Sequence, residues 1–373
     1  MASAAGTAPR GPTYVDSVEW GAPASHRVIY RLLSGIVSIS LYVLRKDGCQ
    51  MYYRGIADLS DDVRELAHDL PDDIDLVIAV PRSGLLAADL LSLYLDVPMT
   101  DVAGLCRGEV FETGDRHAET VSMANVDTAL VFDDSVHTGT EMTEKRELLS
   151  EEEFPFDLEY GAVYITYDGH EYVDHWQEVV PTPRVFEWNV LHHYHLHRFC
   201  VEIDGVLCRD PAEEGVDDEE AYRERIRNAK SKIVPNRRIG WLVTDRPETY
   251  HEETEAWLDE HGIEYDTLIM RDRSDAAAHR GSDDRAEYKA TVYEQTGADL
   301  FIESSEPLAT EICARTNRSV YCHETAEMVR PNRIEELYRI STDYLSMFRE
   351  RPLRFPVDAS EQVVDRVVNR IQR

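Results

Sequence analysis

Short apolar runs that end in a small-residue turn and lead into a helical stretch recur along this chain. They constrain its fold more than any other feature. Asp75–Val80 (DLVIAV) passes through Pro81–Gly84 into the helical run Leu85–Leu95, and Thr128–Phe132 (TALVF) passes through Asp133–Thr140 into a helix from about Glu141 to Ser150. A third strand is expected at Tyr160–Tyr167. Such runs are apolar on both faces, and their alternation with helices predicts parallel sheets in an α/β fold. After a Pro- and His-bearing stretch, 181–198, the pattern restarts. Strands are expected at Phe199–Ile203, Ile239–Val243, Thr267–Met270 and Leu300–Glu303, with helices at Glu219–Ala229, Thr249–His261, Arg285–Thr296 and Pro307–Thr316. The 373 residues suit two domains at the usual ~100–200 residues each. The boundaries expected are 1–185, a connection at 186–198, a second unit at 199–330, and amphipathic helices over 331–373.

Composition narrows the setting. Acidic residues number 72 against 39 basic ones, for a formal net charge of −33, and only five of the basic residues are lysine. A dispersed acidic surface with so little lysine predicts a halophilic protein kept soluble in high salt, where screening shortens self-repulsion. With 43% hydrophobic residues the chain can bury real cores, which argues against disorder. No basic stripe for nucleic acid is visible. The apolar run Ile36–Val43 is broken by serines, and the amino end has no apolar segment behind a basic start. A cytoplasmic chain with no membrane span is therefore expected. Six cysteines without a C-x-x-C pair read as reduced, packed thiols.

Two constellations carry chemistry. In Val131–Thr140 (VFDDSVHTGT), Asp133 and Asp134 stand at a strand end, followed by Ser135, Val136, His137, Thr138, Gly139 and Thr140 at a helix start. The helix N-terminus and the Thr138 and Thr140 hydroxyls suit a phosphate dianion, and Gly139 permits close backbone approach. The two carboxylates suit either a ribose diol or a magnesium shell. The same pattern also serves a plain N-capping turn. The run resembles the phosphoribosyl diphosphate loop of type I phosphoribosyltransferases. Upstream, DLVIAVPRSGLLAADLL resembles that family's pyrophosphate loop, with Arg82, Ser83 and Gly84 in its turn. The resemblance implies Mg²⁺-dependent transfer of 5-phosphoribose from phosphoribosyl diphosphate to an acceptor, with pyrophosphate released. It also implies a mobile catalytic loop, for which Leu105–His117, with Arg107, Arg116 and His117, is the candidate. An acceptor-reading hood is sought in Tyr30–Tyr53 with Arg54, where no pattern names a base.

The second constellation starts at Phe199. FCVEIDGVLCRDP resembles the first motif of haloacid dehalogenase-like (HAD-like) hydrolases, with Glu202 in the nucleophile position and Asp204 as general acid/base. By that resemblance Thr244 and Asp245 hold phosphate, Lys289 supports it, and Glu303, with Glu202 and Asp204, holds Mg²⁺, under a small cap at about 210–236. Glutamate is one methylene too long for the nucleophile's place, so this unit either hydrolyses a phosphate through compensating shifts or binds a phosphorylated ligand without turnover. The four histidines of LHHYHLHR (192, 193, 195 and 197) read as a solvated aromatic connection in preference to a metal site.

Together these imply two Rossmann-like parallel-sheet domains, a phosphoribosyltransferase unit followed by a HAD-like unit. Two alternatives remain: a nucleobase or orotate salvage transferase carrying an inactive second domain, and a non-catalytic regulator that binds phosphoribosyl diphosphate. Residues 331–373 offer a homodimer contact in each case.

Overall fold

The computed structural model describes residues 51–111, 123–210, 219–272 and 282–331. The expectations for residues 1–50, for Arg116 and His117 and for the helices over 331–373 lie outside the described residues.

The first half contains β1 (Tyr52–Arg54), α1 (Ile56–Asp69), β2 (Leu76–Ala79), α2 (Gly84–Leu95), β3 (Met99–Asp101), α3 (Val102–Cys106), β4 (Thr128–Val136), α4 (Thr140–Ser150), β5 (Asp157–Ile165), β6 (His175–Val179) and β7 (Arg184–Phe186). Five of the strands form one parallel sheet in the order β3-β2-β4-β5-β6. All four residues of β2 are buried, because apolar clusters cover both faces of the sheet. Helix α1 presents Leu59, Val63 and Leu66, at helical spacing, to one of those clusters. Helix α3 starts at Asp101, whose carboxylate accepts from the Gly104 N–H at 2.6 Å.

The second half contains β8 (Phe199–Glu202), α5 (Glu219–Arg227), β9 (Ile239–Pro247), α6 (His251–Glu260), β10 (Tyr265–Arg271), α7 (Ser282–Thr296), β11 (Leu300–Glu303), α8 (Glu306–Thr316), β12 (Val320–Cys322) and β13 (Glu327–Val329). Its sheet has the order β10-β9-β8-β11-β12-β13, parallel except for the last strand. Mixed α/β architecture with parallel sheets is thus the observed class. Where described, the segment expected as a cap is α5, whose Arg223 and Arg227 both bind Glu253 of α6, at 2.7 and 2.9 Å.

Three expectations are corrected. The strand at Thr128–Phe132 runs on to Val136, because β5 keeps pairing with it: Asp133 opposes Ala162, and Val136 opposes Ile165. Asp133 and Asp134, expected at the strand end, therefore stand within the strand, which ends at Val136. Second, residues 186–198 are not a solvated connection. They form two short 3-10 turns, Glu187–His192 and Leu196–Arg198, with Val190, Leu191 and Leu196 buried. These side chains join Met51, Tyr53 and Val185 in the same apolar cluster as Phe199, Val201 and Leu242, so the two halves share one core. His193 is buried there, its ring stacked on Phe199 at 5.6 Å. Third, Tyr52–Arg54, the described end of the segment in which a hood is sought, is not open to a ligand. It is buried strand β1, paired in parallel with β7, and Arg54 is held bidentately by Glu178 at 2.7 and 2.8 Å.

Candidate functional sites at the two switch points

In an open parallel sheet, ligands bind beyond the carboxyl ends of the strands, where neighbouring strands send their connections in opposite directions. The first sheet has that point between β2 and β4, since the chain goes outward from β2 to β3 and then crosses back to β4. The turn Pro81–Gly84 follows β2, and the run Asp133–Thr140 ends β4. Ala79 pairs with Phe132, so the two motifs, some 50 residues apart in sequence, open side by side. They touch: a Cβ added at Gly84 would lie 2.7 Å from Asp133 Oδ1. Only glycine lets the turn approach that carboxylate.

Asp133 and Asp134 are both buried. The Asp134 N–H donates to Asp133 Oδ1 at 2.8 Å, and the Trp188 indole N–H donates to Asp134 Oδ2 at 2.9 Å. Burial, then the adjacent Asp134 charge, pushes the Asp133 carboxyl well above the usual carboxylate range. Arg184 lies nearby, and burial lowers its guanidinium to about 10 against the opposing pull of Asp134. Gly139 has φ +73°, and a Cβ there would meet the Tyr172 ring at 2.2 Å. The Thr138 and Thr140 hydroxyls lie 2.9 Å apart on the exposed lip. His137 is exposed, with its imidazole pushed down by partial burial and then by Arg184. On the opposite turn the Pro81–Arg82 peptide is cis. Arg82 is exposed, with its carbonyl accepting from the Leu85 N–H at 3.4 Å; Ser83 is the N-cap residue of α2.

This donor set fits a magnesium ion. Two adjacent buried carboxylates, one destabilised in its charged form, favour an arriving cation, and Mg²⁺ is commonly held by one or two carboxylates plus substrate phosphates. Arg107, expected on the catalytic loop, is exposed at the end of α3 and paired with Glu109 at 2.7 Å. The structure does not bring it to the two aspartates.

The second sheet has its switch point between β8 and β11. Glu202 ends β8 and Glu303 ends β11. Lys289 of α7 donates to both: to Glu202, and to Glu303 at 2.7 Å. All three are buried to at least 98%. Asp204 is engaged by Arg246, whose Nε and Nη2 reach its carboxylate at 2.5–3.1 Å. Burial opposes the Arg246 charge, and the Asp204 carboxylate more than offsets it, so the guanidinium is held above its ordinary range. The Thr244 hydroxyl also donates to Asp204, at 3.3 Å.

The expected metal grouping of Glu202, Asp204 and Glu303 does not form. Among the described residues no group of three or more His, Cys, Asp or Glu is placed to hold a metal ion, and each of these carboxylates already has a cationic partner. These residues do not fit a divalent ion. Nor does Asp245 face an anion: it lies between Arg271 at 2.7 Å and Arg285 at 3.0 Å. Burial raises its carboxyl in spite of both arginines.

Sequence reasoning missed Trp188, Arg184 and Arg246. Arg246 follows Thr244 by two positions, a spacing that returns its side chain to the same face of β9.

No protein-family model matches the chain, and no curated protein does. Among solved structures, a xanthine-guanine-hypoxanthine phosphoribosyltransferase of Helicobacter pylori is similar at 16% identity over 38% of this chain and 95% of that one, with a TM-score of 0.30. A purine phosphoribosyltransferase of Pyrococcus horikoshii is similar at 18% identity over 38% of this chain and 94% of that one, with a TM-score of 0.28. A chain of a Pnkp1/Rnl/Hen1 complex is similar at 12% identity over 77% of this chain and 91% of that one, with a TM-score of 0.23. The functional reading rests on the site itself. No described helix is long and apolar enough to cross a membrane, and the five described cysteines are free thiols.

Proposed function

We propose that the first half is a phosphoribosyltransferase that uses phosphoribosyl diphosphate to place 5-phosphoribose on an acceptor. The observation that carries this is the contact between the two motif loops at the β2/β4 switch point, where Gly84 abuts Asp133. The roles follow from chemistry. The loop amides with the Thr138 and Thr140 hydroxyls take the 5-phosphate. Asp133 and Asp134 accept from the ribose hydroxyls, and Arg82, exposed on the facing turn, offers its donors to the diphosphate. Asp133 and Asp134 would hold Mg²⁺ with the substrate's oxygens, and the ion when bound neutralises charge on the leaving diphosphate. The bond from C1 to the diphosphate oxygen breaks, the acceptor's nucleophilic atom bonds to C1, and the acceptor gives up its proton.

For the second half the reading is a HAD-like domain that recognises a phosphorylated ligand without hydrolysing it. Lys289 across Glu202 and Glu303, and Arg246 on Asp204, support the absence of hydrolysis: each of these three carboxylates already has a cationic partner. The acidic, lysine-poor composition supports a high-salt setting. The test is pyrophosphate release from phosphoribosyl diphosphate with Mg²⁺ in multimolar KCl, with purine bases and orotate as acceptors. Release that is abolished by Asp133→Asn supports the reading. Calorimetric binding of the donor without any release would favour a regulator.

A further inference from the structure

Between the two halves lies a cleft of about 320 Å³ that neither switch-point site uses. One wall is Trp188, Asn189 and His192 from the first 3-10 turn; the other is Ile233, Tyr321 and His323 from the second half. We propose that this cleft binds an uncharged planar heterocycle, a purine nucleoside, and that its occupancy is felt at Asp134 through Trp188.

The lining defines the ligand class. Tyr321 and Trp188 supply aromatic surface, and Phe186 already stacks on Trp188 at 4.9 Å with the rings within 3° of parallel, which fixes the indole in place. Asn189 Oδ1 takes the Phe186 N–H and His192 Nδ1 meets Asn236 Oδ1, each at 3.3 Å, so the Asn189 amide N–H groups, His192 Nε2 and the His323 ring are what serve the edges of a flat ring. Burial, then the neighbouring Lys232, pushes the His323 imidazole down, so it faces the cleft neutral. Among the described residues lining the cleft there is no lysine or arginine, and the neighbouring Lys232 ammonium is turned to the Gly205 carbonyl, to which it donates at 2.5 Å, which favours an uncharged ligand over a phosphate. The one carboxylate, Glu187, is spent on the Ile56 N–H at 2.7 Å. The volume lies at the lower end of small-molecule cavities, roughly 300–1,000 Å³, which suits a base with its sugar.

Each wall also touches one of the two sites. Trp188 donates to Asp134 at 2.9 Å, and the His323 N–H donates to the Glu303 carbonyl at 2.7 Å. A ligand seated between them contacts a residue bonded to each switch point. The binding claim stands apart from the transferase reading, because it is measured without turnover.

Adenosine and guanosine are titrated separately into the full chain by isothermal calorimetry, in parallel with tryptophan fluorescence. The expected result is one equivalent bound for at least one of the two, with a fluorescence change that disappears in Trp188→Phe. Ile233→Trp, which fills the cleft from the far wall, weakens that binding at least ten-fold while circular dichroism stays unchanged. His323→Leu, at a partly exposed position, gives the same reading if Ile233→Trp disturbs the fold. Absence of binding by both nucleosides overturns the proposal, as does binding that survives both cleft variants. Adenosine 5′-monophosphate binding more than ten-fold tighter than adenosine also overturns it, since no lysine or arginine is among the described residues lining the cleft.

Discussion

Removing one ammonium should destabilise this protein more than almost any other single change. Lys289 is 2% exposed and sits between Glu202, 2% exposed, and Glu303, which is fully buried. At an effective dielectric near 20, opposite charges about 4 Å apart attract by ~4 kcal/mol, and desolvation offsets much of that. Deletion is asymmetric, because it leaves two buried carboxylates facing each other with nothing between them. Lys289→Met should therefore cost about 3–5 kcal/mol, the range for breaking a buried pair. Multimolar KCl should not rescue it, since a buried set is screened far less than a surface one. Urea unfolding of the second-half transition, at low and high salt, reads the loss. The triple variant Lys289→Met, Glu202→Gln, Glu303→Gln removes every charge of the set and should recover to within about 2 kcal/mol of the native chain, as neutral replacements of buried ion sets do. A loss below ~1 kcal/mol for Lys289→Met, or no recovery in the triple variant, refutes the reasoning that the set is a buried, mutually compensating cluster.

The remaining predictions concern the first site and the core between the halves. Because burial and Asp134 raise the Asp133 carboxyl in the folded state, that group costs stability once pH exceeds its unfolded value of about 3.9, and the full cost stands above the folded value. Asp133→Asn should thus unfold at higher urea than the native chain at pH 7, with the difference vanishing near pH 4; equal midpoints at pH 7 would contradict it. Gly139→Ala places a methyl at φ +73° against the Tyr172 ring, so it should cost more than about 1 kcal/mol and weaken donor binding in calorimetry. His193 is buried, and burial first, then His195, lowers its imidazole from 6.5 to about 4. A depressed histidine contributes stability that is complete above its unfolded value and lost as pH falls from about 6.5 to 4, ~3 kcal/mol in all. His193→Phe should flatten urea midpoints across that window, and an unchanged slope would count against a buried neutral ring.

Both switch points were legible because their residues are local. VFDDSVHTGT and PRSG each mark a strand end, and Glu202 and Glu303 close strands whose apolar runs are unambiguous. The sheet order then brings each pair of loops together. What escaped was long-range. Arg54 meets Glu178 across 124 positions, and Trp188 meets Asp134 across 54, and no periodicity announces either pair. Strands of three residues, such as β1 and β7, are too short to show alternation, so their burial went unseen. His193 read as part of a polar connection for a related reason: its environment is set by the stacked ring of Phe199, not by its immediate neighbours' hydropathy. Arg246 was hidden by its neighbour Asp245, which looked like the functional residue of that strand.

The first-half site is proposed to transfer phosphoribose through Asp133, Asp134 and the facing Arg82 turn. Its most direct test is pyrophosphate release from phosphoribosyl diphosphate with Mg²⁺ in multimolar KCl, comparing the native chain with Asp133→Asn across purine bases and orotate. Acceptor-dependent release by the native chain and none by the variant is the expected result. Release that is equal in both, or no release with any acceptor while the donor still binds, would contradict it.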